Sequence, residues 1–438
     1  MQDPTRRTVV SGAAMAFAIH SSRSPILGAN DRVNIAVVGV GGRGTNHVDE
    51  YLRLPGARLV AVVDVNQEAQ ERAQARVKKA NNEDIKTYAD MRRAYDDKGI
   101  DAVSIATPNH WHVLAAYWAV AAGKDVYVEK PVSHNIFEGR QLTAAARKYN
   151  RMVQVGQQSR SIPHKMKAMQ LLQDGVIGKV YLAKGLCYKR RKSIGRQPDT
   201  PTPVGVNWEL FLGPAPLRPF NANRFKYNWH WFWDTGNGDI GNQGVHEMDV
   251  AVWGLGKKAF PTSVYSSGGK FVYDDDQETP NTQIATFDYG DGTQVQFEVR
   301  GLISQEEGGL RVRGGNVVGD LFLGADGVMA VDGSGFQVWK GEDRKLVMDE
   351  KLERGQSETG RHMQNFLDAI KSRKYTDLHC DVEVGALSAA YCHLANVSYR
   401  LTRKLNLDPK AGRVTGDDEA QRMFTRNYRA PYTVPERV

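Results

Sequence analysis

The sequence predicts an α/β protein in which an N-terminal doubly wound parallel sheet is followed by an α/β domain with a large, mostly antiparallel open sheet. Three observations predict it. From Arg32 to about Gln157, short β-branched apolar runs alternate with amphipathic stretches, as parallel strands joined by crossover helices do. A glycine-rich run, Gly39-Val40-Gly41-Gly42-Arg43-Gly44, stands between the first apolar run and the first amphipathic stretch. After about Gly156 the pattern changes to aromatic and glycine-rich loops and then to segments of period two.

The elements follow in order. Apolar runs at 33–38, 58–63, 102–106, 125–128 and 152–155 read as buried parallel strands, which are covered on both faces and so carry near-continuous hydrophobic sequence. Segments 45–54, 67–79, 112–122 and 136–149 between them read as helices. Further on, a helix is expected near 246–254 and antiparallel strands at 283–289 and 293–299, with Asp288-Tyr289-Gly290-Asp291-Gly292 as a hairpin signal. Helical spacing of apolar residues over 361–373 and 382–401 predicts two helices near the C-terminus. The chain thus divides into an arm over 1–30, a first domain over 31–156 and a larger second domain over 157–438.

Composition narrows the class. With 438 residues, 41% hydrophobic and 25% charged, the chain has the mix of a packed globular protein of two or more domains. Its net charge is +8, but the basic residues are scattered and no nucleic-acid-binding motif accompanies them, so no nucleic-acid partner is expected. The one dense run, Lys189-Arg190-Arg191-Lys192, reads as a solvated loop, or alternatively as a holder of an acidic substrate or polysaccharide. Cys187, Cys380 and Cys392 form no metal-binding or disulfide pattern. In the arm, Arg6-Arg7 precedes a weakly apolar stretch over 9–19, the order of a twin-arginine export signal. A periplasmic or exported location is expected, with a cytoplasmic one as the alternative. The stretch falls short of the ~20 residues that a spanning helix needs, so no membrane span is expected.

The glycine run gains meaning from its place between a strand and a helix. Gly39 allows the tight turn, Gly41 lets backbone approach a pyrophosphate, and Gly44 permits close helix-to-strand packing, as in the Rossmann dinucleotide fold. Gly42 and Arg43 complete the loop, and the helix start offers N–H groups to phosphates. Asp64, 20 residues beyond Gly44, stands where a carboxylate accepts hydrogen bonds from the adenosine ribose. That favours NAD over NADP.

Two further motifs suggest chemistry. In Asp125-Val126-Tyr127-Val128-Glu129-Lys130-Pro131, Lys130 lies just past the carboxyl end of a strand, where ligands of open α/β sheets bind. An ammonium there orients a hydroxyl and stabilises charge developing on its oxygen. In the loop Gly236 to Asp249, His246 and Asp249 are three apart at a helix start, and a histidine suits the proton transfer that accompanies alcohol oxidation.

Taken together, the glycine run, Ala106-Thr107-Pro108-Asn109-His110-Trp111-His112, Glu129-Lys130-Pro131 and the glycine-histidine loop make the chain resemble the glucose-fructose oxidoreductase and inositol dehydrogenase (Gfo/Idh/MocA) family. The resemblance implies that Lys130 and His246 act at the reacting hydroxyl, and that Thr107, Pro108, Asn109 and His112, with Glu129 beside Lys130, lie along the cofactor. It also implies a second domain that binds substrate and assembles a homo-oligomer, a dimer or tetramer. Many members carry aspartate four residues before the histidine; here that position is Asn242, which orients a hydroxyl without sharing a proton. Gln158, Arg160, Trp231 and Asp249 are expected to face the substrate, among the aromatic residues Trp229, His230 and Trp233. The expected reaction is hydride transfer between a tightly held NAD and a hydroxyl of a sugar, cyclitol or glycoside, with no metal at the site. One alternative is a glycosidase-like enzyme in which the retained NAD oxidises the ring transiently, allows elimination and returns the hydride. Another is a metal-dependent hydrolase built on His110 and His112 from an extended strand.

Overall fold

The computed structural model describes residues 32–352, 355 and 357–438. The proposed export arm over 1–30 lies outside them. The first sheet contains β1 (Val33–Val38), β2 (Ala57–Val63), β3 (Lys86–Tyr88), β4 (Ala102–Ile105), β5 (Asp125–Val128) and β6 (Val153–Val155). All pair parallel, in the order β3-β2-β1-β4-β5-β6. The connections carry α1 (Arg43–Arg53), α2 (Gln67–Asn81), the short α3 (Met91–Tyr95), α4 (Asn109–Ala121) and α5 (Ile136–Lys148).

Alternation along β1 sends Ile35 and Val37 to one face and Ala36 and Val38 to the other, all fully buried. Each such valine or isoleucine contributes about 1.5–3 kcal/mol of burial free energy. Three details differ from expectation. β3 has exposed or half-buried residues and no apolar run, so hydrophobicity did not mark it. Helix α1 begins at Arg43 and α4 at Asn109, each earlier than the apolar periodicity starts, because turn geometry rather than burial opens a helix. His110 and His112 therefore sit in the first turn of α4 and not on an extended strand, which removes the geometry that the hydrolase reading needed.

After α6 (Pro163–Gln173), the chain forms β7 (Val180–Tyr188), a small ribbon of β8 (Asp199–Thr200) and β9 (Phe220–Asn221), and the helices α7 (Trp208–Leu212), α8 (Gly238–Asn242) and α9 (Gly244–Gly254). The strands β10 (Ser263–Gly269), β11 (Thr282–Asp288), β12 (Gln294–Arg300), β13 (Val317–Gly324), β14 (Gly327–Asp332), β15 (Gly335–Lys340) and β16 (Lys345–Lys351) follow. After α10 (Glu358–Ser372) and α11 (Val382–Leu401) come β17 (Leu405–Asp408), β18 (Arg413–Val414) and α12 (Asp418–Arg422).

The second sheet has ten strands in the order β16-β15-β14-β13-β7-β12-β11-β10-β17-β18, antiparallel throughout except where β12 meets β7. Its inner face, including Ala183, Cys187, Ala285, Phe287, Val295, Phe297 and Phe322, packs in one cluster with residues of α9 and α11. Among the described residues no helix is long and apolar enough to cross a membrane. The last part of the chain returns to the first sheet: Met363, Phe366 and Leu367 of α10 join the core on one face, and Val382 and Ala389 of α11 join that on the other.

Candidate active site

A cavity of about 670 Å³ opens at the carboxyl edge of the first sheet, bounded opposite by Phe225, Lys226, Tyr227, Trp229 and His230. On the sheet side it is lined by Gly39, Gly41, Gly42, Arg43, Asp64, Thr107, Pro108, His112, Glu129 and Lys130, and α8 adds Asn242.

The glycines divide by role. Gly39 has φ +84°, and a Cβ there would lie 2.8 Å from the Ala106 carbonyl oxygen; a Cβ on Gly44 would lie 1.7 Å from the oxygen of Gly39. These two residues make the turn possible. At Gly41 the nearest atom to a Cβ would be the Asp64 carboxylate at 3.8 Å, and at Gly42 nothing stands within 4 Å. These two leave space in front of the helix. The N-cap of α1 makes no side-chain hydrogen bond and its first turn holds no acidic residue; Thr45 N donates to the Gly42 carbonyl, which leaves the N–H groups of Arg43 and Gly44 for an anion. Asp64 accepts from Val40 N at 2.7 Å and Asn66 N at 2.9 Å. Burial raises its pKa, opposed by those backbone donors. Thr107 Oγ1 is buried without a partner beside the same space. The cradle, the open helix start and this unpaired hydroxyl fit a dinucleotide held by Gly41, Gly42, Asp64 and Thr107.

Around Lys130 the chain builds a buried polar chain. Glu129 Oε1 accepts from Arg43 Nε at 2.8 Å, His47 Nε2 at 3.0 Å and Gln158 Nε2 at 3.3 Å. Its Oε2 accepts from Lys130 N at 3.2 Å. Burial alone would raise the Glu129 pKa, yet Arg43 and His47 hold it well below the usual carboxylate range. Ser104 lies 2.9 Å from the other nitrogen of His47, and Arg43 Nη2 donates to Thr359 of α10 at 3.1 Å. Lys130 Nζ donates to the carbonyl of Asn242 at 2.8 Å, which ties the first sheet to α8. Burial lowers the Lys130 pKa, and Glu129 opposes the shift. His112 spans the segments that carry Thr107 and Lys130, with its ring nitrogens 2.8 Å from Thr107 O and 2.7 Å from Pro131 O.

His246, half-buried on α9, makes no side-chain hydrogen bond among the described residues. Burial and the Lys130 ammonium hold its pKa well below the ordinary imidazole value, so the ring is neutral and able to accept a proton near neutral pH. The Asn242 amide donates to Tyr227 OH at 3.0 Å and to Asp239 at 3.3 Å. Asp239 is buried and held by both forks of Arg191, at 2.9 and 2.7 Å.

Other expected residues lie elsewhere. Asp249 has no exposed side-chain surface and is bound by Arg160 through three contacts of 2.8–3.1 Å and by Ser388. Both therefore spend their polar groups on internal packing and do not border the cavity, contrary to the expectation that they face substrate. Gln158 stands behind Glu129, and its amide also donates to Tyr127 OH at 3.1 Å. Asn109 is buried and donates to Asn237 at 2.7 Å. Trp231 is buried and supports the Arg191 guanidinium 5.3 Å from its ring centroid. Sequence reasoning missed His47, Tyr227 and Thr359, and it read Lys189 and Arg191 only as part of a basic run. His47 falls one helical turn after Arg43, a usable signal. Lys189, Arg191 and Thr359 make contacts that cross more than forty residues, and Tyr227 meets Asn242 across 15, so none leaves a local trace.

Residues 33–157 match the description "Oxidoreductase family, NAD-binding Rossmann fold", and residues 164–308 and 327–434 match "Oxidoreductase family, C-terminal alpha/beta domain". A "Glycosyl hydrolase family 109 protein" of Saccharopolyspora erythraea is 30% identical over 162 residues, 36% of this chain and 35% of that protein. The chain spans about a third of the length of the first curated relatives it matches. Among solved structures, a levoglucosan dehydrogenase complexed with NADH and levoglucosan is similar with a TM-score of 0.65 at 17% identity, covering 86% of this chain and 99% of that one. The WlbA dehydrogenase from Bordetella pertussis, complexed with NADH and UDP-GlcNAcA, has a TM-score of 0.63 at 18% identity over 86% and 99% of the two chains. With the cradle, the lysine motif and both matched segments in view, this chain belongs to the Gfo/Idh/MocA oxidoreductase family.

Proposed function

We propose that the protein is an NAD-dependent dehydrogenase of a ring hydroxyl in a sugar, cyclitol or glycoside. The observation that carries the reading is the ammonium of Lys130, bound among the described residues only to the Asn242 carbonyl, at the glycine-lined cavity that also holds Asp64 and Thr107; His246 does not line that cavity. Lys130 has donors left beyond its bond to Asn242, so its ammonium can bind the reacting oxygen and stabilise the charge that grows there. His246 takes the hydroxyl proton, and its depressed pKa keeps it available as a base. A nicotinamide held in the cradle would supply the hydride acceptor, so that one hydride and one proton leave the alcohol. Tyr227 and His230, which border the cavity, enclose the substrate from the opposite wall. NAD rather than NADP is favoured because Asp64 stands at the ribose end and Arg43 is committed to Glu129.

The relatives named as glycosyl hydrolases favour a second reading, in which a retained cofactor oxidises the ring transiently, elimination follows, and the hydride returns. Export through the paired arginines would suit such retention. A panel of sugars and aryl glycosides, read for both NADH formation and aglycone release, separates the two. NADH formation with a free sugar supports the dehydrogenase; aglycone release without net NADH supports hidden redox. A preparation that binds no nicotinamide and turns over nothing would sink both.

A further inference from the structure

We propose that Tyr227 is a catalytic residue: its phenol O–H donates to the reacting oxygen beside the Lys130 ammonium and shares in stabilising the charge that develops there. The inference rests on the oxidoreductase reading above and deepens it.

The phenol oxygen is filled on its acceptor side. Arg191 Nη1 and Asn242 Nδ2 each donate to it at 3.0 Å. Neither a guanidinium nor an amide nitrogen can accept, so neither neighbour takes the phenol's own proton. The orientation of the amide is set by a second contact: the same nitrogen reaches the Asp239 carboxylate at 3.3 Å, where an amide oxygen would be repelled. Among the described residues no group accepts from Tyr227 OH. The hydroxyl thus keeps one donor for a ligand.

Asp239 organises both neighbours. Buried, it takes Nε and Nη2 of Arg191 at 2.9 and 2.7 Å, which leaves Nη1 for Tyr227. Arg191 belongs to the basic run that reads in the sequence as a solvated loop, yet only 16% of its side chain is exposed and its guanidinium lies 5.3 Å from the Trp231 ring centroid. Two N–H donors converging on one hydroxyl oxygen polarise its O–H bond and make it a stronger donor. An aspartate in place of Asn242 would do the reverse, because its carboxylate would accept the phenol proton and occupy it. The asparagine therefore frees the phenol.

Position brings this donor to the chemistry. Tyr227, Asn242 and Lys130 all line the cavity, and Asn242 joins the other two: its backbone carbonyl accepts from Lys130 Nζ at 2.8 Å and its side-chain amide donates to Tyr227. The ammonium and the phenol are neighbours on one stretch of wall. His230 braces Tyr227 from behind, with Nδ1 2.6 Å from the Tyr227 carbonyl oxygen and ring centroids 4.6 Å apart. An oxygen that gains negative charge in the transition state is stabilised by donors fixed in advance, and one such donor is worth about 100- to 1000-fold in rate. Tyr227 keeps its proton throughout; it supplies a hydrogen bond.

The test uses the purified holoenzyme with glucose, galactose, myo-inositol and aryl glycosides of the two sugars, with hydride transfer read in single turnovers beside steady-state rates. Tyr227→Phe should slow hydride transfer about 100-fold with KM and NAD affinity little changed, since the ring remains and the cradle is untouched. A residue that only builds the wall would shift KM and spare the chemical step. Fluorinated tyrosines in place of Tyr227 keep the shape and vary the acidity of the phenol, so they report even where the phenylalanine variant folds poorly. At a pH where all of them stay protonated, hydride transfer should quicken as the phenol becomes more acidic. Full-rate hydride transfer in Tyr227→Phe overturns the donor role and leaves the oxidoreductase reading intact. A rate in the fluorinated series that falls with acidity, or ignores it, also overturns the donor role. A wild-type preparation that binds no nicotinamide and turns over none of these compounds overturns the underlying reading and this inference with it.

Discussion

At the scale of single residues, three side chains decide the chemistry and each predicts a different measurement. Lys130→Ala should lower turnover by at least about 100-fold while NAD still binds, because the cradle of Gly41, Gly42 and Asp64 does not depend on it. Calorimetry with NAD beside steady-state rates checks this, and full activity would remove lysine from the mechanism. His246 must be neutral to accept a proton, and its pKa is depressed by burial and Lys130. The rate should therefore stay level as pH falls through 6.5 and decline only below it, an acid limb that His246→Asn abolishes together with most of the rate. Glu129 gives a stability prediction. Its folded pKa lies below the ordinary 4.5, so its contribution is present above 4.5 and is lost as pH falls through the lower folded value. Glu129→Gln leaves Arg43 and His47 facing a neutral amide, and denaturant titration at pH 7 should show a loss of about 3 kcal/mol.

At the scale of elements, the loop between β1 and α1 predicts that neighbouring glycines behave differently. Gly44→Ala forces a Cβ into the Gly39 carbonyl and should lower Tm and abolish cofactor binding together. Gly42→Ala meets no atom and should fold normally, with any loss confined to cofactor affinity. Thermal melts with and without NAD distinguish them. The same loop shows what was legible in the sequence. Strands β1 and β5 and helix α11 were readable to their end residues, because full burial imposes apolar runs and helical spacing. The hairpin between β11 and β12 was readable because its turn needs glycine at positive φ, as at Gly290 and Gly292. Strand β3 was not readable, since its place at the sheet edge asks nothing of its side chains. Arg160 and Asp249 were misread as substrate contacts because a buried ion pair and a binding pair look alike until depth is known.

At the scale of the whole molecule, the outer face of the ten-stranded sheet carries exposed Tyr265 and Ile284 on adjacent strands β10 and β11. We expect this face to join copies into a dimer or tetramer. Light scattering should give a multiple of 48.7 kDa, and paired charges at Tyr265 and Ile284 should lower it. The return of α10 to the first sheet has another consequence. Phe366 and Leu367 complete the core beneath β1, and Thr359 reaches the arginine of the phosphate loop from 316 positions away. The nucleotide-binding half is therefore not a transferable module: a chain cut after residue 156 would expose that core face and should not refold or bind NAD on its own. Exchange of the nucleotide-binding half for that of a relative would therefore have to carry α10 with it.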